Sequence, residues 1–205
     1  MFSNTPTLAY DVEVDGIYYN LVKKFAWVTS GVNQLYKGDI VIPSTITVDE
    51  VNYTVTEIQE SAFSSCKDLT MVTIPNTITN IGEYAFSGCR NLKSITIPNS
   101  VISIGNWAFS ECEGLTSIEI PNSVTTIGSN AFSWCRGLTS VTISNSVTNI
   151  ASNVFQWCRG LTSVTIPSSV KSIGNSAFYQ CSGLISVNIP NSVKSIGEYS
   201  FEGCM

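Results

Sequence analysis

Apolar residues recur in a fixed order along residues 40–205, and the order repeats every 23 residues. Each repeat starts with Leu-x-x-Val/Ile-x-Ile and a proline, and residues 115–137 show the pattern most cleanly. The last two apolar residues of this motif are two positions apart, so a β-strand turns both to the same face. The proline ends the strand because it has no N–H group to donate to a sheet. We therefore expect one strand in every repeat.

The second half of each repeat predicts a turn, a shorter strand and a short helix. Asn-Ser forms the turn, and Val-x-x-Ile-Gly supplies the shorter strand. In the following Ala-Phe-x-x-Cys motif, Phe132 and Cys135 are spaced for about one turn of helix that faces inward. A period of 23 residues lies in the range of leucine-rich repeats. The pattern thus predicts an α/β solenoid whose parallel strands stack rung upon rung.

Residues 1–39 do not follow the repeat and predict a β-rich cap that is continuous with the solenoid of residues 40–205. Two alternating stretches, Ala9–Val14 and Ile17–Val22, flank the dipeptide at positions 15–16, which is Asp-Gly. Asp-Gly between two alternating stretches is a strong signal for a β-hairpin. A solenoid needs such a cap because its first rung would otherwise expose an apolar face and an unpaired edge.

An insertion interrupts the first repeat. The interval from Pro43 to Ile58 is 15 residues, whereas the matching interval from Pro75 to Ile81 is 6. The nine extra residues, around positions 49–55, alternate in polarity and predict a second small hairpin or a strand extension.

The fifth full rung departs from the pattern at three positions. Ser144 replaces the proline, Ala151 replaces the glycine and Val154 replaces the alanine. If the glycine of the repeat has a positive φ, Ala151 is strained at this position. Ala151→Gly is then expected to stabilise the fold despite the greater chain entropy of glycine.

All seven cysteines occupy one repeat position, and their number is odd. Stacked rungs place equivalent Cα atoms roughly 4.8 Å apart, and parallel Cβ directions keep the Cβ atoms about as far apart, beyond the separation that a disulfide prefers. We therefore expect a ladder of buried free thiols. The cysteines have neither CxxC spacing nor nearby basic residues, so a zinc or redox role is not expected. These residues are Cys66, Cys89, Cys112, Cys135, Cys158, Cys181 and Cys204.

The signature Val/Ile-Pro-x-x-Val-x-x-Ile-Gly-x-x-Ala-Phe resembles the BspA-like branch of leucine-rich repeat proteins, over about residues 40–205. Residues 14–19 and 36–43 also look like the opening segment of members from anaerobic gut and oral bacteria. The resemblance implies a curved, right-handed solenoid of 23-residue rungs on the outside of a cell. It also implies adhesion to host matrix proteins or neighbouring cells, without catalytic residues.

Composition and charge exclude several classes of function. Only 12% of residues are charged and the net charge is −5, so there is no basic stripe for nucleic acid. The chain has no histidine, which excludes a Ser-His or Cys-His nucleophile. Glu111 and Glu113 lie close in sequence, and we interpret them as a solvated surface pair instead of a glycosidase pair. We expect no enzyme activity, no cofactor and no metal.

The sequence contains no apolar run long enough to form a transmembrane segment. Residues 1–6 lack the basic start and apolar middle of a secretory signal. Either the protein stays inside the cell or its export signal lies outside this sequence.

The outward positions of the predicted strands form two polar columns. They suggest a weakly charged concave face that hydrogen-bonds an extended peptide or glycan. The alternative is that serine and threonine are simply tolerated on the solvent side of a parallel sheet. The first column is Met71, Ser94, Ser117, Ser140, Ser163 and Ser186, and the second is Thr73, Thr96, Glu119, Thr142, Thr165 and Asn188.

Aromatic residues form a second candidate surface. Trp134 and Trp157 precede the cysteine in adjacent rungs. Tyr84, Trp107 and Tyr199 lie at the position four residues earlier, on the same side of the predicted helix. Exposed Trp and Tyr are favoured anchors in protein and sugar recognition. The alternative is packing between neighbouring rungs.

Together these features predict a non-catalytic binding or adhesion module, extracellular or on a cell surface. The expected partner is a host extracellular matrix protein, a mucin, a glycan or another cell-surface protein. The alternative is a structural spacer or assembly scaffold without a ligand of its own. Val193, Ile196 and Phe201 belong to a last layer on which this sequence stacks nothing, so an end-to-end homodimer or a longer array is also expected.

Overall fold

The computed structural model describes residues 10–31 and 35–205, and these residues contain strands and turns but no helix. The absence of a secretory signal, predicted on residues 1–6, lies outside the described residues. The strands are β1 (Val12–Val14), β2 (Ile17–Val22), β3 (Phe25–Thr29), β4 (Gly38–Val41), β5 (Thr45–Val48), β6 (Val51–Ile58), β7 (Leu69–Thr73), β8 (Asn80–Ile81), β9 (Ser94–Ile95), β10 (Ser103–Ile104), β11 (Ser117–Glu119), β12 (Thr126–Ile127), β13 (Ser140–Thr142), β14 (Asn149–Ile150), β15 (Ser163–Thr165), β16 (Ser172–Ile173), β17 (Ser186–Asn188) and β18 (Ser195–Ile196).

The predicted solenoid is confirmed, with two strands in each rung from β7 onward: the first has two to five residues, and the second always has two. The strands pair in parallel with equivalent residues opposite each other, as in Ser117 with Ser140 and Ser103 with Thr126. Inward leucine, isoleucine, valine, phenylalanine and cysteine form one continuous core between the two sets of strands. The phenylalanines stack in a ladder whose neighbouring ring centroids lie 4.9 to 5.7 Å apart.

The short helix predicted after each second strand is wrong, because two residues in every rung adopt left-handed backbone angles. In one rung these are Trp107, with φ 57°, and Glu111, with φ 59°. An α-helix cannot include such residues every fourth position. The Phe109 N–H instead donates to the Ala131 carbonyl of the next rung at 2.7 Å, and the Cys112 N–H donates back to Phe109 at 3.2 Å. This side of the solenoid therefore consists of turns whose backbones form hydrogen bonds to the neighbouring rungs.

The predicted ladder of buried thiols is confirmed. All seven cysteines are free, and all but Cys204 are buried. Each thiol from Cys89 onward lies within hydrogen-bonding distance of the phenylalanine carbonyl one rung back, as in Cys135 Sγ to Phe109 O at 3.1 Å. Burial raises the pKa of Cys135 to about 12, so the group is held as a neutral thiol.

Three hairpins, β1–β2, β2–β3 and β5–β6, build the N-terminal end of the solenoid. Asp15 and Gly16 join β1 to β2 with φ values of 51° and 77°, which confirms the predicted hairpin. The insertion forms the hairpin β5–β6, and β6 continues into the first short-strand position of the array. The Tyr36 ring lies 4.6 Å from the Phe63 ring and so continues the phenylalanine ladder into the cap.

The glycine of the repeat serves close approach, and the positive φ that would have strained Ala151 is not found at this repeat position. Neither Gly105 nor Ala151 has a positive φ. A Cβ added at Gly105 would lie 2.6 Å from the backbone nitrogen of Glu83 in the rung before it. Glycine is needed here because the backbones of neighbouring rungs almost touch.

Ala151 coincides with a break in the short-strand sheet. The Gly128 N–H donates to the Ile104 carbonyl at 2.9 Å, but within the described residues the corresponding bond from Ala151 is missing. β12 and β14 do not pair, and the sheet splits into two there. The Phe132 and Phe155 rings, 5.7 Å apart, are the most widely spaced of the phenylalanine ladder. The separation of these two rungs thus coincides with the added bulk of Ala151 and Val154.

Candidate functional site

The outward side chains of the longer strands form the strand face. Register pairs Ser117 with Ser140 and Glu119 with Thr142 in neighbouring strands, so the two predicted columns exist as aligned rows. The eight predicted polar residues of this face are all exposed, namely Ser94, Thr96, Ser117, Glu119, Ser140, Thr142, Ser163 and Thr165.

A cleft lies on the strand face beside an interruption in the pairing of the longer strands. The described strands β9 and β11 belong to separate sheets, β4-β7-β9 and β11-β13-β15-β17. A cleft of about 530 Å³ spans the rungs of β7, β9 and β11, and four of the predicted residues converge on it. They are Ser94, Thr96, Ser117 and Glu119. The other four lie beyond the cleft, and two of these, Thr142 and Thr165, line a separate depression of about 280 Å³.

The cleft also contains residues that the column pattern missed. Asn76, Asn99, Pro98 and Pro121 line its rim, and they come from the Pro-Asn turns that follow the strands. The recurring Pro-Asn dipeptide next to the polar columns was the available signal. These turns add amide donors and acceptors to the hydroxyl groups of the strands.

The chemistry of the cleft favours hydrogen bonding over catalysis. Glu119 is the one charged residue among the described residues that line it. A single carboxylate without a titratable partner cannot act as a general acid and base pair. No group of three or more His, Cys, Asp or Glu within residues 10–31 and 35–205 is arranged to hold a metal ion.

The predicted aromatic surface is divided into two clusters. Tyr84 and Trp107 stack with ring centroids 6.0 Å apart, and Trp134 and Trp157 stack at 5.0 Å. No ring contact joins the two pairs within the described part of the chain. Because no helix forms, residues four apart in the chain do not share a helical side. The structure therefore brings Trp134 together with Trp157 but leaves Trp107 in a separate pair.

Two arginines, which the sequence prediction missed, lie over the second aromatic pair. Arg136 Cζ is 5.0 Å from the centroid of the Trp134 ring, and Arg159 Cζ is 4.7 Å from that of Trp157. Each arginine follows its tryptophan by two residues in the motif Trp-Cys-Arg. That spacing could be read from the sequence. The turn that folds each arginine side chain back over its tryptophan could not.

Backbone strain accompanies the aromatic residues. Trp107, Trp134 and Trp157 have φ values of 57°, 62° and 62°. A bulky residue in the left-handed region is an outlier and costs about 1–2 kcal/mol. Gly88 and Gly203 occupy the Trp134 position in other rungs, where they adopt a positive φ without this cost.

Glu111 and Glu113 form a surface ion-pair cluster with Arg90. Glu111 Oε2 lies 2.7 Å from Arg90 Nη2, and Glu113 Oε1 lies 3.7 Å from Arg90 Nε. All three side chains are partly exposed to solvent. The interpretation as a solvated pair therefore holds, and such surface pairs stabilise a fold only slightly.

Comparison with known proteins identifies relatives of this solenoid. The BspA type leucine rich repeat region matches residues 44–162 and 148–205, in six copies. A leucine rich repeat protein from T. pallidum is 32% identical with a TM-score of 0.84, over 95% of this chain and 89% of that protein. A leucine-rich repeat protein from Bacteroides ovatus ATCC 8483 is 31% identical with a TM-score of 0.79. The match covers 95% of this chain but only 57% of the Bacteroides protein.

A more distant structure shares the fold alone. It is a leucine rich cell surface protein from Faecalibacterium prausnitzii A2-165, with 20% identity and a TM-score of 0.55 over 98% of this chain and 93% of that protein. No curated protein matches the chain. Within the described residues, the structure offers no helix with the length and apolar character needed to span a membrane.

Proposed function

Because the chain belongs to the BspA-type leucine-rich repeat family, we propose that it is a non-catalytic binding module of the cell surface. Its ligand is an extended protein or glycan chain that docks in the strand-face cleft. The observation that carries the proposal is the cleft itself, which gathers Ser94, Thr96 and Ser117 around one opening. The cell-surface location is what membership of the BspA-type family leads us to expect.

The size and lining of the cleft support a ligand of this kind. Its volume of about 530 Å³ falls within the range of ordinary ligand sites. Ile95 and Ile97 contribute apolar surface, while hydroxyl and amide groups surround it. Serine, threonine and asparagine can each donate and accept, which suits both sugar hydroxyl groups and peptide amides. Glu119 favours a partner that is neutral or cationic at that point.

The partner classes considered are a host matrix protein, a mucin, a glycan and another surface protein. A second copy of the chain, docked on Ile196 of β18, which is 49% exposed, is a separate candidate. This contact involves a different region from the cleft, so the two modes of association are independent.

A paired set of variants tests the cleft. Matrix proteins, mucins and neutral glycans are screened for saturable binding, and the best binder is measured against Ser117→Glu and Ser163→Glu. Both changes add a carboxylate at the same repeat position, but only Ser117 lines the cleft. We expect at least a tenfold loss of affinity for Ser117→Glu and little change for Ser163→Glu. Equal effects would reject the cleft, and a screen without saturable binding would favour the structural spacer.

A further inference from the structure

The Arg–Trp array, formed by Trp134, Trp157, Arg136 and Arg159, is a built surface separate from the cleft. The two indoles stack at 5.0 Å with 17° between their planes, and each carries a guanidinium over its ring. Tyr179 meets Trp157 edge-on at 5.8 Å. None of these residues lines the strand-face cleft.

The two positive charges of the array lack a carboxylate partner. Arg136 and Arg159 are exposed and form no ion pair with any described residue. Arg90 stands at the same repeat position and behaves differently, because it pairs with Glu111 and Glu113. The chain has a net charge of −5, so two unpaired arginines in adjacent rungs are a local departure from its acidic character.

Stacking leaves the guanidinium groups ready to bind an anion. A guanidinium that lies over an indole contacts the ring with its flat face. The N–H donors of the guanidinium point outward along the guanidinium edge. Those donors match the paired oxygens of a carboxylate or a sulfate. Because each side chain is already held by its tryptophan, less conformational freedom is lost when an anion binds.

The backbone supplies an independent reason to assign a role to the two tryptophans. Both have φ 62°, and glycine fills the same position in two other rungs. The fold therefore does not require an indole here, and the left-handed backbone disfavours one. A bulky side chain retained at a strained position points to a function outside packing.

We propose that the Arg–Trp array binds an acidic polysaccharide, a chain of sugar rings that carries carboxylate or sulfate groups. The acidic groups meet Arg136 and Arg159, which lie in successive rungs. The exposed parts of the indoles and of Tyr179 pack against the apolar faces of the sugar rings. Gln156, which precedes Trp157 in the chain, is partly exposed and offers an amide to sugar hydroxyl groups. This combination of flat rings, amides and paired cations fits an acidic sugar chain better than an acidic peptide.

This inference deepens the proposed function, since it rests on the chain being a binding module, but it does not depend on the cleft. The probes are chondroitin sulfate, which carries both acidic groups, hyaluronate, which carries carboxylates alone, and neutral dextran. Affinity is measured by titration calorimetry on the full chain at two salt concentrations. We expect saturable binding of the acidic polymers, weaker at high salt, and no binding of dextran.

A charge-matched pair of double variants locates the site. Arg136→Gln with Arg159→Gln removes the two stacked cations, and Lys171→Gln with Lys194→Gln removes two exposed cations elsewhere. We expect at least a tenfold loss for the arginine pair and less than a twofold change for the lysine pair. Equal losses for both pairs would show general electrostatic attraction and overturn the proposal.

Further variants and probes separate this site from its rivals. Trp134→Gly with Trp157→Gly removes the rings and their backbone strain, so a folded protein with at least tenfold weaker binding is expected. Unchanged binding by that variant, or equal affinity for poly-glutamate or anionic lipid vesicles, would overturn the proposal. Ser117→Glu should leave polysaccharide binding intact, so a failure of the cleft and a failure of the array are distinguishable.

Discussion

The strand face and the turn face follow different rules. The turn face contains the residues between the glycine and the cysteine of each rung. On the strand face, alternation turns every second residue outward, and small polar side chains recur there with little change. On the turn face, each rung has two residues with left-handed backbone angles. One of these positions is filled by different residue types in successive rungs, namely Glu111, Trp134, Trp157 and Gln180. The regular columns follow from the fold, whereas the departures from regularity carry information about function.

The two breaks in the sheets make the same distinction. The break between β12 and β14 lies beside Ala151, whose methyl group replaces the hydrogen of glycine at a close approach of two rungs. The break between β9 and β11 lies in rungs that keep the repeat pattern, and no substitution in those rungs explains it. The first break is therefore a packing consequence, and the second is the one that opens onto polar side chains.

Alkaline pH should produce the largest effect, because it acts on the thiol ladder behind the turn face. Burial raises the pKa of Cys135 and of Cys181 to about 12. A thiol in the unfolded chain titrates near pH ~8.5, so the unfolded state binds fewer protons above that pH. The stability contributed by each thiol is complete below pH ~8.5 and is lost as pH rises toward ~12, at about 1.4 kcal/mol per pH unit.

Urea unfolding measured from pH 7 to 10.5 checks this expectation. Cys135→Ala provides the control, since it removes one titrating thiol and should make the dependence on pH less steep. A free energy of unfolding that stays constant up to pH 10.5 would contradict the buried ladder.

Phe132→Ala is expected to cause the largest loss among single substitutions. Phe132 is fully buried between Phe109 and Phe155, and neighbouring rungs hold it on both sides. Truncation of a buried phenylalanine costs about 3–5 kcal/mol because it leaves a cavity. Chemical denaturation should show this loss, and a change below about 1 kcal/mol would mean that the ladder is not a packed core.

Ala151→Gly should close the break between β12 and β14. The variant removes the methyl group. The backbone N–H groups of residues 148 and 151 can then donate hydrogen bonds to the preceding rung. The two bonds gain about 0.5–1.5 kcal/mol each, and glycine costs about 0.5–1 kcal/mol, so a modest net gain is expected. Hydrogen exchange of the backbone amides at positions 148 and 151 should be slower in Ala151→Gly. In the reverse control, Gly105→Ala, exchange at position 105 should be faster. Unchanged exchange in both variants would show that glycine does not control this spacing.

Trp134→Gly should have the smallest effect on stability, although Trp134 lies only two residues from Phe132. Relief of the left-handed strain gains about 1–2 kcal/mol, which offsets the loss of about 0.5–1.5 kcal/mol from ring stacking. We therefore expect the melting temperature to change by only a few degrees. A loss as large as that of Phe132→Ala would assign Trp134 to the core and weaken the case for a binding surface.

The sequence allowed the rung to be predicted because period and polarity alone decide which residues face inward. Phe132 and Cys135 were correctly placed in the core, and Asp15-Gly16 was correctly placed in a hairpin. The helix was mispredicted because a spacing of three fits a turn as well as a helix. Only the φ values of Trp107 and Glu111 decide between them, and neither residue type signals a positive φ.

The candidate site was predictable only in part. Alternation placed Ser94 and Ser117 on the exposed face, but the repeat pattern, which is the same in every rung, does not show that a cleft lies across their rungs. The tryptophans were recognised as candidates, whereas their arginine partners depend on a turn that brings residues two apart into contact. Local sequence patterns thus predicted which residues are exposed on the surface, but not which of the exposed side chains contact each other.

Hydrogen exchange of the free and bound protein tests the central claim most directly. With the tightest binder from the screen at saturation, we expect slower exchange confined to residues 94–99 and 117–121, which border the cleft. Residues 163–167 carry the same motif in an unbroken part of the sheet and should be unaffected. Protection spread evenly over all rungs, or absent from residues 94–99 and 117–121, would contradict binding at the cleft.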